Sequence, residues 1–167
     1  MKRRISKQIH IGEVAIGGGA PVSVQSMTKT DTRDVKATVR QIKGLEACGC
    51  EIIRVAVPDI EATEAITAIK KKICIPLVAD IHFDYRLALA SLKAGADALR
   101  LNPGNIIKPD KVETIVKAAK ERQVPIRIGV NAGSLPKLSN NKLSIAEQMV
   151  EAAMRHIRIL ERLDTEH

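Results

Sequence analysis

The stretch Leu77–Asn105, LVADIHFDYRLALASLKAGADALRLNPGN, constrains the whole chain more than any other. Two short apolar runs flank a segment of helical period, so it reads as strand, helix, strand. Each run ends in a polar tip: Asp80, Ile81 and His82 after the first, Arg100, Leu101 and Asn102 after the second. Asp80 and His82 share one parity, as do Arg100 and Asn102, so each pair lies on one face of its strand. Charged side chains at the C-terminal ends of apolar strands make poor cores. They are the usual material of sites on α/β barrels.

The same strand-helix unit recurs along the chain. Strand one is expected at Val22–Met27, followed by a helix bearing Val35, Val39, Ile42 and Leu45 and stopped by Gly49. Strand two is expected at Glu51–Val57, with a helix starting at Pro58-Asp59 and carrying Ala62, Ala65, Ile66 and Ile69. Strand three is expected at Ile75–Ala79, with a helix from Tyr85 to Ala94. Strand four is expected at Asp97–Leu101, and its helix presents Val112, Ile115, Val116 and Ala119. Strand five is expected at Pro125–Val130. A longer loop, Asn131–Lys142, then leads to a helix with Met149, Ala152, Ala153, His156, Ile159 and Leu163 on one face. Ahead of the first unit, Ile9, Ile11, Val14 and Ile16 alternate around Gly12-Glu13, the pattern of a small β-hairpin. The expected division is residues 1–19 as hairpin and flexible Gly17-Gly18-Gly19 joint, and residues 20–167 as the α/β domain.

Strands alternating with helices imply a parallel sheet with right-handed crossovers. Open doubly wound sheets and closed barrels both satisfy that. The spacing suits a TIM (β/α)8-type barrel, but eight units usually take about 250 residues. The chain has 167 residues and five units. A partial barrel leaves strands one and five with unpaired edges. The expectation is the front part of a longer protein, or edges closed against another copy.

Composition narrows the function. The formal charge is +8, and the chain holds one Phe and one Tyr (Phe83 and Tyr85) and no Trp. Aromatic platforms for single-stranded nucleic acid are therefore lacking. A basic balance without them fits a lysine-rich solvated surface or a site for a small anion. No apolar run reaches the roughly 20 residues of a membrane span. The start, MKRRISKQIHIGEV, is basic but has no apolar core, so it is not a secretory signal. A cytoplasmic location is the expectation. Cys48, Cys50 and Cys74 form no CxxC pair and read as reduced small hydrophobes, too few for a metal site of their own.

The inward parity extends to the neighbouring strands. Arg54 lies within Ile52-Ile53-Arg54-Val55-Ala56, and Arg127 and Asn131 share one parity in strand five. Three arginines, Arg54, Arg100 and Arg127, then converge on one face beside Asp80, His82, Asn102 and Asn131. A single carboxylate under-neutralises three guanidiniums. Either one arginine forms a structural ion pair with Asp80, or a ligand supplies the missing charge. Guanidinium forks suit phosphate oxygens, and a diphosphate has enough of them. Asp80 is also placed to fix the tautomer of His82. Asn102-Pro103-Gly104-Asn105 is a tight turn whose glycine admits close backbone approach. His156, on an apolar helix face, reads as core.

Longer strings carry a resemblance. Gly17–Thr28 (GGGAPVSVQSMT), Thr30–Asp34 (TDTRD), Arg54–Asp59 (RVAVPD), Pro76–Arg86 (PLVADIHFDYR), Arg100–Asn105 (RLNPGN) and Pro125–Ser134 (PIRIGVNAGS) closely resemble the hydroxymethylbutenyl diphosphate synthase (GcpE or IspG) family. The resemblance implies an oxidoreductase of the non-mevalonate isoprenoid pathway. That family converts 2-C-methyl-D-erythritol 2,4-cyclodiphosphate to 4-hydroxy-3-methylbut-2-enyl diphosphate. Its electrons come from flavodoxin or ferredoxin through a 4Fe–4S cluster. By position, Arg54, Asp80, His82, Arg100, Asn102, Arg127 and Asn131 look like the family's substrate-binding residues. The family's site lysine and glutamate, and the three cysteines and glutamate that hold its cluster, have no match here. No residue of the chain is read as catalytic or as a metal ligand. The chain alone is expected to be inactive. In the family a homodimer places one subunit's cluster domain over the other's barrel. Two alternatives share the arginine pattern: a non-catalytic diphosphate-binding half barrel, and another barrel enzyme such as a pterin-binding synthase.

Overall fold

Helix starts in this chain are written in aspartates. Asp34, Asp59 and Asp84 each sit one residue before a helix and accept a hydrogen bond from the backbone N–H of Ala37, Ala62 and Arg86. Such caps stabilise a helix by roughly 1 kcal/mol each. They open α1 (Val35–Ala47), α2 (Ile60–Lys70) and α3 (Tyr85–Lys93). Two more helices follow, α4 (Pro109–Glu121), with proline in its first turn, and α5 (Ile145–Asp164). The strands are β1 (Ile9–Ile11), β2 (Val14–Ile16), β3 (Gln25–Met27), β4 (Ile52–Val57), β5 (Leu77–Ile81), β6 (Ala98–Leu101) and β7 (Ile126–Ile128). The computed structural model describes residues 5–106, 108–135 and 143–164. Residues 1–4 of the basic start and 136–142 of the expected loop lie outside these.

β1 and β2 pair antiparallel as the expected hairpin, with Ile9 opposite Ile16. β3 to β7 form one parallel sheet in the order β3-β4-β5-β6-β7. Sequential order is what separates a barrel-type sheet from a doubly wound one, where the order reverses at a switch point. The chain is an α/β fold made of consecutive barrel units. Gln25 on β3 and Arg127 on β7 come within 3.5 Å (Oε1 to Nη1), so the sheet curls until its first and last strands face each other.

The two sheet faces have separate jobs. Ile53, Val55, Val57, Leu77, Ala79, Ile81, Leu99 and Leu101 face outward into one core with α1 to α4, against which α5 also packs. At about 1.5–3 kcal/mol for each large aliphatic side chain fully buried, this layer dominates stability. On the inner face, Ile52, Val78 and Ala98 form a small second core with Ile11, Val14 and Ile16 of the hairpin. The hairpin therefore plugs the N-terminal end of the sheet and leaves the C-terminal end to polar residues.

Several local expectations need correction. β3 is half the expected length: Val22 is 89% exposed and Val24 54%, and the Val24 N–H donates to the Glu51 side chain. β5 begins at Leu77 and reaches Ile81, so Asp80 lies inside a strand rather than in a tip beyond it. Gly17, Gly18 and Gly19 all have positive φ and form a hydrogen-bonded turn, Ala20 N–H to Gly17 O at 2.9 Å. A Cβ on Gly18 would lie 2.5 Å from that of Gln8, so this joint is a close packing contact. Of the three free thiols, Cys50 is buried as expected, but Cys48 and Cys74 are exposed.

Candidate anion-binding site

Register builds the site. Ala56, Asp80, Arg100 and Arg127 are successive Cα partners across β4, β5, β6 and β7, and Met27 is the partner of Arg54. Partners on parallel strands share a face, so the parity expected from sequence holds across the three boundaries from β4 to β7, and Met27 joins the same face from β3. Asp80 is 3% exposed and sits at the centre. Its Oδ1 accepts from Arg100 Nη1 at 2.9 Å, and its Oδ2 faces Arg54 Nε at 3.5 Å. Both oxygens of one carboxylate thus serve two guanidiniums from the strands on either side.

The remaining donors of each arginine have different fates. Arg54 donates Nε–H and Nη2–H to the thioether of Met27, at 3.3 and 3.2 Å. Arg100 donates Nη2–H to the carbonyl of Gly129 at 2.7 Å. That approach requires glycine, since a Cβ on residue 129 would lie 2.4 Å from Arg100 Nε. Arg127 is exposed, and its one side-chain hydrogen bond among the described residues is the long 3.5 Å reach to Gln25. Two guanidiniums therefore share one carboxylate while the third stands apart from it, with N–H donors of each left over.

The two asparagines frame the rim. Asn102 is 4% exposed; its Nδ2–H donates to Ser134 Oγ at 2.7 Å and its Oδ1 accepts from Gly104 N–H at 3.0 Å. It ties the tight turn to the single 3-10 turn Ala132–Ser134. Gly104 is pressed against that turn, where a Cβ would lie 1.8 Å from Ser134 O. Asn131 is exposed; its Oδ1 accepts from Gly133 N–H at 2.9 Å, which leaves its Nδ2 donors open. His82 is half-buried and stacks edge-on to the exposed Phe83, with ring centroids 6.1 Å apart. Among the described residues no hydrogen bond joins it to Asp80, whose oxygens face Arg100 and Arg54 instead. The expected tautomer-fixing role of Asp80 is corrected on that ground.

His82, Arg100, Asn102 and Asn131 line one cavity of about 660 Å³, together with Gly104 and Ser134. Arg54 and Asp80 lie behind Arg100. Arg127 does not line this cavity; its side chain turns the other way, into a space of about 380 Å³ between the sheet and the hairpin. The seven expected residues are therefore one inward face but two depths. Outside it, Arg33 bridges Asp31 and Asp59 at 2.6 and 3.1 Å and so joins the loops after β3 and β4. Its hydrogen bond holds the Asp31 carboxyl below the usual range. Met27 and Gly129 escaped the sequence reading. Gly129 was within reach of it, since it falls between Arg127 and Asn131 at the same parity.

Residues 6–167 match the GcpE TIM-barrel domain family. The chain belongs to that family. Similar proteins named 4-hydroxy-3-methylbut-2-en-1-yl diphosphate synthase (flavodoxin) include one from Dehalococcoides mccartyi, 66% identical over 162 residues. Others are from Thermodesulfovibrio yellowstonii (61% over 166 residues) and Ruminiclostridium cellulolyticum (56% over 166). They align with 97%, 98% and 98% of this chain but with 47%, 48% and 47% of their own lengths. The chain spans about half the length of the curated relatives it matches. Among solved structures, the Amycolatopsis orientalis BexX/CysO complex matches with TM-score 0.49 and 20% identity, over 83% of this chain and 68% of that one. A mandelate oxidase with benzoyl-formic acid matches with TM-score 0.49 and 13% identity, over 88% and 62%. Likeness at that level carries no argument about this GcpE domain.

The resemblance implies a 4Fe–4S cluster, and the thiols of this GcpE domain can be tested against it. Cys50 is buried and its Sγ–H donates to Ile52 O at 3.1 Å, while Cys48 and Cys74 are exposed. Among the described residues no group of three or more His, Cys, Asp or Glu could hold a metal ion. These cysteines do not fit a cluster's thiolate set. Among the described residues, too, no helix is long and apolar enough to cross a membrane.

Proposed function

We propose that the inner face of this sheet binds the diphosphate of 2-C-methyl-D-erythritol 2,4-cyclodiphosphate, as the substrate-gripping part of a 4-hydroxy-3-methylbut-2-en-1-yl diphosphate synthase. One observation carries the reading: Arg54 and Arg100 share the single buried carboxylate of Asp80, with Arg127 held only by a long contact to Gln25. The cluster of side chains keeps an excess of positive charge and free N–H donors on a concave face. An anion with several oxygens completes it.

Each residue has a part in that binding. Arg100 presents its unused N–H groups to the cavity it lines, and Arg54 stands behind it. Asn131 offers its free amide donors from the facing rim. Asn102 holds the two rim turns together, and Asp80 keeps both guanidiniums extended and apart. Two arginine contacts at about 1.5–3 kcal/mol each correspond to dissociation constants from a few millimolar down to tens of micromolar. The 4Fe–4S cluster that the function also implies needs a thiolate set that Cys48, Cys50 and Cys74 do not form.

Calorimetric titration of the chain with the cyclodiphosphate, beside inorganic sulfate and pyrophosphate, tests the reading. The expected order is cyclodiphosphate, then pyrophosphate, then sulfate, with Arg100→Ala reducing the first two. Equal affinities for all three, or an Arg100→Ala variant that binds like the parent, would overturn it.

A further inference from the structure

We propose that Met27 is a positioning residue that aims the Arg54 guanidinium at the bound anion, an inference resting on the anion-binding reading above. Met27 ends β3 as the register partner of Arg54. Its sulfur accepts from two N–H groups on one edge of the guanidinium, Nε at 3.3 Å and Nη2 at 3.2 Å. The competing acceptor is Asp80 Oδ2, 3.5 Å from Nε.

The choice of acceptor matters chemically. The Nε–Nη2 edge of an arginine is the edge that forms a two-point pair with a carboxylate. Without a second acceptor, that edge of Arg54 would close onto Asp80, which already receives Arg100. Arg54 would then be neutralised. A thioether is a weak, uncharged acceptor. It occupies the edge and fixes the plane of the guanidinium without cancelling its charge. The Nη1 donors and the second Nη2 proton are left for phosphate oxygens. A carboxylate at residue 27 would fix the plane equally well but would repel the diphosphate.

Two variants of the full chain separate orientation from packing. Met27→Leu keeps the volume and removes the acceptor, a swap that cores tolerate well. Met27→Gln restores an uncharged acceptor of similar reach. The first readout is the side-chain Nε–H resonance of Arg54 in ¹⁵N NMR, identified by its loss in Arg54→Lys. Met27→Leu is expected to speed its exchange with water several-fold, and Met27→Gln to slow it again. The second readout is calorimetric affinity for pyrophosphate: a loss of about 3–10-fold in Met27→Leu, recovered in Met27→Gln, and no further loss when Met27→Leu is added to Arg54→Lys. Unchanged exchange in Met27→Leu overturns the proposal. So does an unchanged affinity, or an equal loss in the Arg54→Lys background. If Arg100→Ala binds pyrophosphate like the parent chain, the anion reading itself has failed, and the exchange rate alone then decides whether Met27 fixes Arg54.

Discussion

Asp80 and Arg100 are register partners on adjacent parallel strands, joined by a 2.9 Å hydrogen bond in which the carboxylate is almost fully buried. Because Asp80 also faces Arg54, it neutralises charge for two neighbours at once. Asp80→Asn keeps the shape and removes the charge. Stability is expected to fall by about 1–3 kcal/mol, less than for a fully buried pair because both arginines retain some solvent. Affinity for pyrophosphate is expected to rise by a few-fold, since the inner face gains net positive charge. Urea midpoints and calorimetry measure the two separately. A fall in both would mean that Asp80 serves the site by geometry and not by charge.

Arg127 and Arg100 should behave differently despite their shared face. Arg127 is exposed, and its one side-chain hydrogen bond among the described residues is the long 3.5 Å contact to Gln25, so its loss costs the fold little. Because its side chain lies outside the cavity that Arg100 lines, Arg127→Ala is expected to weaken cyclodiphosphate binding by less than the about 1.5–3 kcal/mol of a direct contact, through lost positive charge alone, with no change in the unfolding midpoint. Arg100→Ala removes a donor from both Asp80 and Gly129 O, so it is expected to lower affinity and stability together. An Arg127→Ala chain that binds normally would remove Arg127 from the site and leave Arg54 and Arg100 as its cationic core.

Much of this was readable before any coordinates. Alternating parity placed Arg54, Asp80, Arg100 and Arg127 on one face, and the apolar positions of the helices marked the outward core correctly. The misses have physical causes. β5 is buried on both faces, so its apolar run has no period to mark where it begins, and Asp80 was placed past its end. Val22 and Val24 suit a strand by composition, but their side chains stay in solvent although the Val24 carbonyl accepts from Glu51 and Ile52 N–H, and its N–H is taken by the Glu51 side chain in place of a ladder partner. The His82–Asp80 pair looked sound from spacing alone. In the structure Asp80 faces Arg100 and Arg54, and the His82 ring packs edge-on against Phe83 instead. Parity fixes which face Arg127 leaves from, but its long side chain turns toward Gln25, and no spacing rule encodes that turn.

Two glycines at the site touch different things, so their alanine variants should fail differently. A Cβ on Gly104 meets the backbone oxygen of Ser134 at 1.8 Å, and backbone cannot step aside without parting the two rim turns. Gly104→Ala is expected to destabilise the chain by about 2–4 kcal/mol, in the range of severe steric insertions. A Cβ on Gly129 meets the end of the Arg100 side chain, which can move. Gly129→Ala is expected to lower stability by only about 1 kcal/mol while displacing Arg100 and weakening pyrophosphate binding at least as much as Met27→Leu. Urea unfolding and calorimetry on both variants check the contrast. Equal stability losses would show that Arg100 is as rigidly held as backbone.

His156 gives the fold a dependence on pH that belongs to α5. It lies 5% exposed on the inner side of that helix, with Nε2 bonded to the carbonyl of Ile106 at 2.9 Å. Burial pushes its pKa below the ordinary 6.5, more than the bonds to backbone raise it. The unfolded chain therefore takes up a proton at a higher pH than the folded chain does. Stability from this group is complete well above pH 6.5 and declines as pH falls through 6.5 toward the folded value, below which the slope ends. The slope has a ceiling of about 1.4 kcal/mol per pH unit, the limit for one proton. Urea midpoints between about pH 5.5 and 7.5 are expected to fall on acidification in the parent chain. His156→Gln keeps a donor for Ile106 O but cannot titrate, so its midpoints are expected to vary less over the same range. If the two chains show the same slope, the acid sensitivity arises elsewhere and α5 is not held by a neutral imidazole.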